Sequence, residues 1–583
     1  MIPAYADSTA FFRQRLTTSA AIAALLVGAL MLAGCDVPVQ PDKTARQQSK
    51  PGTLPPTEEA PSPERDMMSR SEALAPTGYA PMPPPAPFPQ VAPEVRDRYE
   101  NTKPNPVKLV KDEPVSTFSA DVDTAAYSVV RKYLTDGSLP PRDAVRIEEL
   151  VNYFEYDYAL PDKRSEPFRP SVEVYPAPWN PGTEIVHIGI KGFDLPKAER
   201  PAANLVFLLD VSGSMDEPNK LPLVKKAMHL LVGELGEKDR VSIVVYAGAA
   251  GTVLEPTSGA DKARINAAID NLTPGGSTAG AEGIRQAYQL AKSAFVKDGV
   301  NRVILATDGD FNVGITDPRQ LEDFVARERA SGVTLTCLGF GMGNYNDALM
   351  QKLAQKGNGN AAYIDTLNEA RKVLVDEIGG TLFMIAKDVK FQIEFNPMRV
   401  SEYRLIGYET RLLNREDFNN DRVDAGDIGS GHAVTALYEI VPVGSNAHLI
   451  DPLRYGGAAA APAPAPSGSN SGEIAFLRLR YKLPNEDESH LIERPIRDGD
   501  KLESVARASD DVRFAVAVAG FAQLMRGDPY LKSFGYKDVI ELATGAKGDD
   551  PFGYRSEFVQ LARTAETLPA LPALEQPGIG GPP

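Results

Sequence analysis

Between positions 203 and 385 the chain alternates two kinds of apolar pattern. Leu205 to Leu209, Val241 to Val245, Val303 to Ala306 and Val333 to Leu338 are short, nearly unbroken apolar runs, as strands covered on both faces require. Between them apolar residues recur every three or four positions. Leu221, Val224, Met228, Leu231 and Leu235 share one helical face, and Ile284, Ala287, Tyr288, Ala291 and Phe295 share another. Strand and helix in alternation predict an α/β domain over 203–385 built on a doubly wound, mostly parallel sheet. Such folds bind ligands beyond the carboxyl ends of their strands.

Outside that block the period changes to two. Val186, Ile188 and Ile190 alternate with His187, Gly189 and Lys191 upstream. Downstream, Val389, Phe391, Ile393 and Phe395 alternate with polar residues, as do Leu477, Leu479, Tyr481 and Leu483. Half-buried strands over 166–202 and 386–504 predict an antiparallel sheet or sandwich into which the α/β block is inserted. Helical patterns mark an N-terminal region, 115–165, with Tyr127 to Leu134 and Ala144 to Phe154 as its helices. A C-terminal region, 505–566, carries Phe514, Val518, Phe521 and Met525 on one face and continues through Phe558 to Ala565. Residues 36–114 are rich in Pro, Ala, Ser and Glu, with Met82-Pro-Pro-Pro-Ala-Pro87 at their centre, and predict an extended tether. Residues 456–472 predict a flexible loop and 567–583 a loose tail.

Charge narrows the partner. The chain has 583 residues with a net charge of -16, which argues against nucleic acid, since that partner requires a basic footprint. The first 35 residues read as an export signal. Arg13 and Arg15 precede an apolar run from Ala20 to Ala33, shorter than the roughly 20 residues that span a bilayer. The run ends in Leu32-Ala33-Gly34-Cys35, which resembles the lipobox of bacterial lipoproteins. The resemblance implies a lipid on Cys35 and a chain anchored in the bacterial cell envelope, facing the periplasm. Asp36 implies inner-membrane retention by the enteric rule, which does not transfer to every bacterium, so the choice of membrane stays open. With Cys35 lipidated no intrachain disulfide is available, and Cys337, inside an apolar run, is expected to be a buried small hydrophobe.

The candidate chemistry sits at the end of the first apolar run, where the chain reads Asp210-Val-Ser-Gly-Ser-Met-Asp216. One carboxylate and two hydroxyls at alternate positions suit a hard cation, which takes oxygen ligands and keeps waters when few carboxylates are supplied. Two further loops at equivalent strand ends carry oxygens: Gly275-Gly-Ser-Thr-Ala-Gly280 and Ala306-Thr-Asp-Gly-Asp310. The set resembles the metal-ion-dependent adhesion site (MIDAS) of von Willebrand factor type A domains, D-x-S-x-S followed by a Thr and then an Asp. The resemblance implies metal roles for Asp210, Ser212, Ser214, Thr278 and Asp308, with Ser277 the alternative in register to Thr278 and Asp310 to Asp308. It implies a divalent cation, Mg²⁺ ahead of Mn²⁺ or Ca²⁺. It also implies a protein partner that offers an Asp or Glu to the cation, and a chain that binds rather than catalyses. Ser116 to Ser128, Asp143 to Phe154 and Asp427 to Tyr438 are in turn similar to the YfbK-like bacterial lipoproteins, which flank such a domain on both sides.

Other motifs weigh less. Asp121 and Asp123 offer a second cation site, but Asp123 or Thr124 as a helix cap is the expected role. Asp417-Phe-Asn-Asn-Asp421 starts like a calcium loop, then has Arg422 where the sharp turn needs Gly and Ile428 where a bidentate Glu belongs. Asp216 is expected to be a solvated carboxylate at a helix entry. Five scattered histidines without H-E-x-x-H spacing, and no G-x-S-x-G after a strand, leave zinc-protease and serine-hydrolase readings without support. The competing class is a scaffold of the envelope, in which the cation only stabilises the domain.

Overall fold

The computed structural model describes residues 97–569, apart from 164, 277–279, 310–317, 344 and 452–471. The export signal, Cys35, most of the tether, the loop at 456–471 and residues 570–583 of the tail lie outside the described residues.

The central sheet has six strands in the order Ala361–Ile364, Thr334–Phe340, Val300–Thr307, Ala203–Asp210, Arg240–Tyr246 and Ala250–Ser258. The first five are parallel and the last is an antiparallel edge. Every residue of Ala203–Asp210 is buried, which explains the unbroken apolar run from Leu205 to Leu209 within it. Its side chains divide by the period of two. Leu205, Phe207 and Leu209 join a core with the Leu221–Glu234 helix, whereas Val206 and Leu208 join one with Ile284, Ala287 and Tyr288 of the Gly280–Ser293 helix. That second helix stops before Phe295, which is 45% exposed rather than on the buried face that its spacing predicts.

The flanks form two antiparallel sheets around a common core. One contains Lys108–Leu109, Val400–Ile406, Ala433–Pro442, Asn180–Lys191 and Ser171–Ala177. The other contains Gly426–Gly429, Met384–Phe395, Glu473–Lys482 and Ser489–Arg497, with Val115–Ser119 also paired to Met384–Phe395. Val186, Ile188 and Ile190 meet Phe391, Ile393 and Leu477 in that core. The chain enters the sandwich, inserts the α/β domain, and returns to it.

Three expectations are corrected. Residues 97–114, read as tether, are held in place. Asp97 Oδ1 accepts hydrogen bonds from Gly343 N and Tyr345 N at 2.9 Å each, and Asn105 donates to the Leu405 and Gly407 carbonyls. Polar composition did not reveal those backbone partners, which lie far along the chain. The N-terminal region is not purely helical, because Val115–Ser119 is a strand of the sandwich. Finally, Asn180–Lys191 is not half-buried. The face bearing His187 and Gly189 is covered as well: His187 is 1% exposed, between the hydroxyls of Tyr158 at 2.9 Å and Tyr175 at 3.2 Å. Tyr158, Tyr175 and Ile185 share a core with the helices Asp510–Arg526 and Tyr554–Thr567. A strand's own alternation does not show what the rest of the chain lays over its second face.

Candidate metal centre

In the central sheet the first strand of the domain, Ala203–Asp210, lies between Val300–Thr307 and Arg240–Tyr246. The Leu221–Glu234 helix that follows it packs on one face and the Pro318–Arg329 helix that follows Val300–Thr307 packs on the other, so the sheet has its switch point at the carboxyl ends of these two strands. Asp210 is the last residue of its strand and 1% exposed. Its Oδ1 accepts the Ser212 N–H at 2.9 Å, and its Oδ2 accepts the Thr307 hydroxyl at 3.3 Å from the neighbouring strand. These two bonds fix the plane of the carboxylate.

The chain then turns through a short 3₁₀ segment, Gly213–Asp216, which brings the Ser212 and Ser214 hydroxyl oxygens to 3.0 Å from each other. Ser212 is 3% exposed, while Ser214 is exposed, so the hydroxyls lead from the buried carboxylate out to solvent. Asp308, directly after Thr307, is 1% exposed. Burial pushes Asp210 above the usual carboxylate range and the charge of Asp308 adds to this, while hydrogen bonds from Ser212 and Thr307 oppose it. The second loop is laced to the first by backbone bonds, Gly275 N to the Val211 carbonyl at 2.8 Å and Gly213 N to the Gly276 carbonyl at 3.1 Å. Thr278, with Ser277 and Asp310, lies outside the described residues.

Four of the five expected residues thus lie together at the switch point of the sheet. Two carboxylates of like charge and a pair of hydroxyls form a donor set of hard oxygens, one of them open to solvent, which fits a hard divalent cation. Among the described residues no group of three or more His, Cys, Asp or Glu side chains is arranged to hold a metal elsewhere.

Reading the sequence missed Lys220. It is 4% exposed, and its Nζ lies 3.2 Å from Asp308 Oδ2 and 3.1 Å from the Ser214 carbonyl. A signal was present. Lys220 is the N-cap of the Leu221–Glu234 helix, a position that favours Ser, Thr, Asp or Asn and where a positive charge opposes the helix dipole.

Among the lesser motifs, the Asp121 and Asp123 pair resolves differently from expectation. Neither Asp123 nor Thr124 caps the Ala125–Thr135 helix through its side chain. Asp123 instead accepts the Ala361 N–H at 2.8 Å, and Arg411 spans Asp121 and Asp123 with bonds of 2.7 to 3.0 Å, so a guanidinium occupies the acidic pair. In the Asp417 to Asp421 loop, Lys390 and Lys482 take the carbonyls of Asp417, Asn420 and Asp421. Asp216 is exposed. Cys337 is fully buried, and burial pushes its thiol up.

Comparison with known proteins places the whole arrangement. The family model described as "von Willebrand factor type A domain" matches residues 204–376, one described as "von Willebrand factor" matches 93–187, and "Uncharacterized protein YfbK, C-terminal" matches 380–568. "Uncharacterized protein YfbK" of Escherichia coli (strain K12) is 48% identical over 475 residues, covering 80% of this chain and 81% of that one. The chain belongs to the YfbK family. Its central domain is a von Willebrand factor type A domain, followed by the region that the YfbK C-terminal model matches. Human "Inter-alpha-trypsin inhibitor heavy chain H4" is 32% identical over 182 residues, 30% of this chain and 19% of its own. Among solved structures, proximal thread matrix protein 1 from the mussel byssus, described with a zinc-occupied MIDAS motif, is 26% identical over 30% of this chain and 45% of its own, with a TM-score of 0.25.

Proposed function

We propose that this YfbK-family chain is a lipid-anchored, extracytoplasmic binding protein whose type A domain uses a divalent cation to capture an acidic group of a protein partner. The observation that carries the reading is the convergence of Asp210, Ser212, Ser214 and Asp308 at the switch point of the sheet, with Ser214 open to solvent. Asp210 and Asp308 supply two negative charges that offset a divalent cation, while Ser212 and Ser214 supply neutral oxygens, so the cation is left coordinatively incomplete rather than over-charged. When bound, the cation offers a Lewis-acidic position that a carboxylate from outside can take. The resemblance to the adhesion site assigns Thr278, outside the described residues, as the fifth donor, and the set suits Mg²⁺ ahead of Mn²⁺ or Ca²⁺. The role is binding rather than catalysis.

Calorimetry on the full chain tests the site. Mg²⁺ or Mn²⁺ is expected to bind the unaltered protein, and Asp210→Ala to abolish that binding. Equal binding by both would remove the site from the reading. The anchor has its own test: Cys35→Ser is expected to move the protein from the membrane fraction to the soluble extracytoplasmic fraction. Unchanged membrane association would end that part of the proposal.

A scaffold role is favoured by a different observation. Arg131 and Arg146 tie the type A domain to the N-terminal helical region through buried ion pairs with Asp365, Glu369 and Asp347. On that reading chelation lowers stability, but no acidic ligand tightens cation binding.

A further inference from the structure

Counted from its oxygens alone, the cation site carries two negative charges. The structure adds a third charge of opposite sign. The Lys220 ammonium contacts Asp308 at 3.2 Å and the Ser214 carbonyl at 3.1 Å, so it sits among the same donors that would face a cation. Glu217, its other acidic neighbour, is 3.6 Å away with a side chain 62% exposed, so solvent screens it. The stem is confined: Gly341 has φ +71°, and a Cβ there would come within 2.4 Å of Lys220 Cε. Neither a helix N-terminus nor burial favours an ammonium. Its place is explained by the pull of Asp308.

We propose that Lys220 is a built-in counter-cation that lowers the affinity of the site for a divalent ion and makes the bound ion demand an anionic ligand. The inference rests on the cation-site reading above and deepens it. Asp210, Asp308 and Lys220 sum to one negative charge, so a divalent ion leaves the centre with one net positive charge. Without Lys220 the same centre is neutral. A positive centre in a partly desolvated site attracts a carboxylate, while a neutral one has little electrostatic reason to prefer it over water or an amide. The Coulomb repulsion is large enough to measure. Even at the dielectric of bulk water, a unit charge one carboxylate away from a divalent ion changes its affinity about tenfold, and burial increases the effect.

The test is Mg²⁺ and Mn²⁺ calorimetry on the full chain as the unaltered protein, Lys220→Met, Lys220→Gln, Lys220→Arg and Asp210→Ala. Each is titrated alone, with millimolar acetate, and with acetamide as the uncharged match. Lys220→Met and Lys220→Gln are expected to bind the ion at least about tenfold more tightly. Lys220→Arg should stay near the unaltered protein. Acetate should tighten ion binding in the unaltered protein and in Lys220→Arg, and do so less in the neutral variants. Acetamide should do neither. Neutral variants that bind no more tightly, while Asp210→Ala loses binding, would overturn the role of Lys220 and leave the cation site standing. Retained binding in Asp210→Ala would overturn the site reading and this inference with it. The acetate and acetamide comparison on the unaltered chain does not depend on any variant folding, and equal effects of the two would also overturn the proposal.

Discussion

Arg131→Met is expected to destabilise the folded chain by roughly 3–5 kcal/mol, the usual cost of leaving buried charges without their partner. Arg131 lies in the Ala125–Thr135 helix with its side chain 5% exposed. Its Nε donates to Asp365 at 2.9 Å, its Nη2 to Glu369 at 2.8 Å, and its Nη1 to Glu557 and to the Tyr153 hydroxyl at 3.1 Å each. Asp365 and Glu369 are 3% and 1% exposed, whereas Glu557 is 36% exposed, so the first two carry the energy. Burial already pushes Asp365 above the usual carboxylate range against the pull of Arg131. Methionine preserves most of the volume and removes the charge, which separates electrostatic loss from cavity formation. The measurement is the urea midpoint of unfolding, which should fall. Adding Asp365→Asn and Glu369→Gln to Arg131→Met should recover part of the loss, since the stranded charges are then gone. An unchanged midpoint for Arg131→Met would show that this cluster does not hold the type A domain to its flanks.

That cluster also marks the boundary of what the sequence discloses. Period and run length are local properties. Leu205 to Leu209 and Val303 to Ala306 therefore announce covered strands, and Phe391, Ile393 and Phe395 announce a sheet with a buried face. The adhesion-site motif was legible for the same reason, because Asp210, Ser212 and Ser214 sit within one turn and their spacing carries the geometry. Arg131 and Asp365 are 234 positions apart, and nothing in either neighbourhood names the other. His187 shows the same limit at the level of a face, and Asp97 at the level of the tether. Asp121 and Asp123 show it in chemistry: a D-x-D pair reads as a cap or a cation site until Arg411, 288 positions from Asp123, is seen between them. Lys220 is the instructive exception. It stands next to the motif at a helix start where lysine is unfavourable, and a local anomaly of that kind is a legible pointer to an unseen anion.

Lowering the pH from 8 to 6.5 is expected to stabilise the protein by about 2 kcal/mol, with Glu148 the largest contributor. Glu148 is 1% exposed, and burial, then the charges of Glu409 and Asp121, push it from 4.5 up to about 8. The nearby guanidiniums are committed elsewhere. Arg526 pairs with Glu409, Arg411 with Asp121 and Asp123, and Arg146 with Glu149 and Asp347. Burial also raises Glu377 to about 7 and Asp427 to about 7. For each of these groups the folded state holds a proton that the unfolded chain has released. The contribution is therefore complete below the unfolded value and is lost as pH rises through the folded one. Two buried histidines act in the opposite sense. His187 is lowered from 6.5 to about 3 and His432 to about 4, so near pH 6.5 and below the unfolded chain takes up protons that the folded chain refuses. This uptake begins above 6.5, so within the interval from 8 to 6.5 the histidines offset part of the carboxyl gain, and below it the curve should flatten. Glu148→Gln should cut the slope in that interval by more than half, because a neutral amide no longer titrates. Urea midpoints measured at half-unit steps across the interval check both statements. A flat profile in the unaltered protein, or a slope unaffected by Glu148→Gln, would mean that Glu148 reaches solvent or a cation that its surroundings in the fold do not provide.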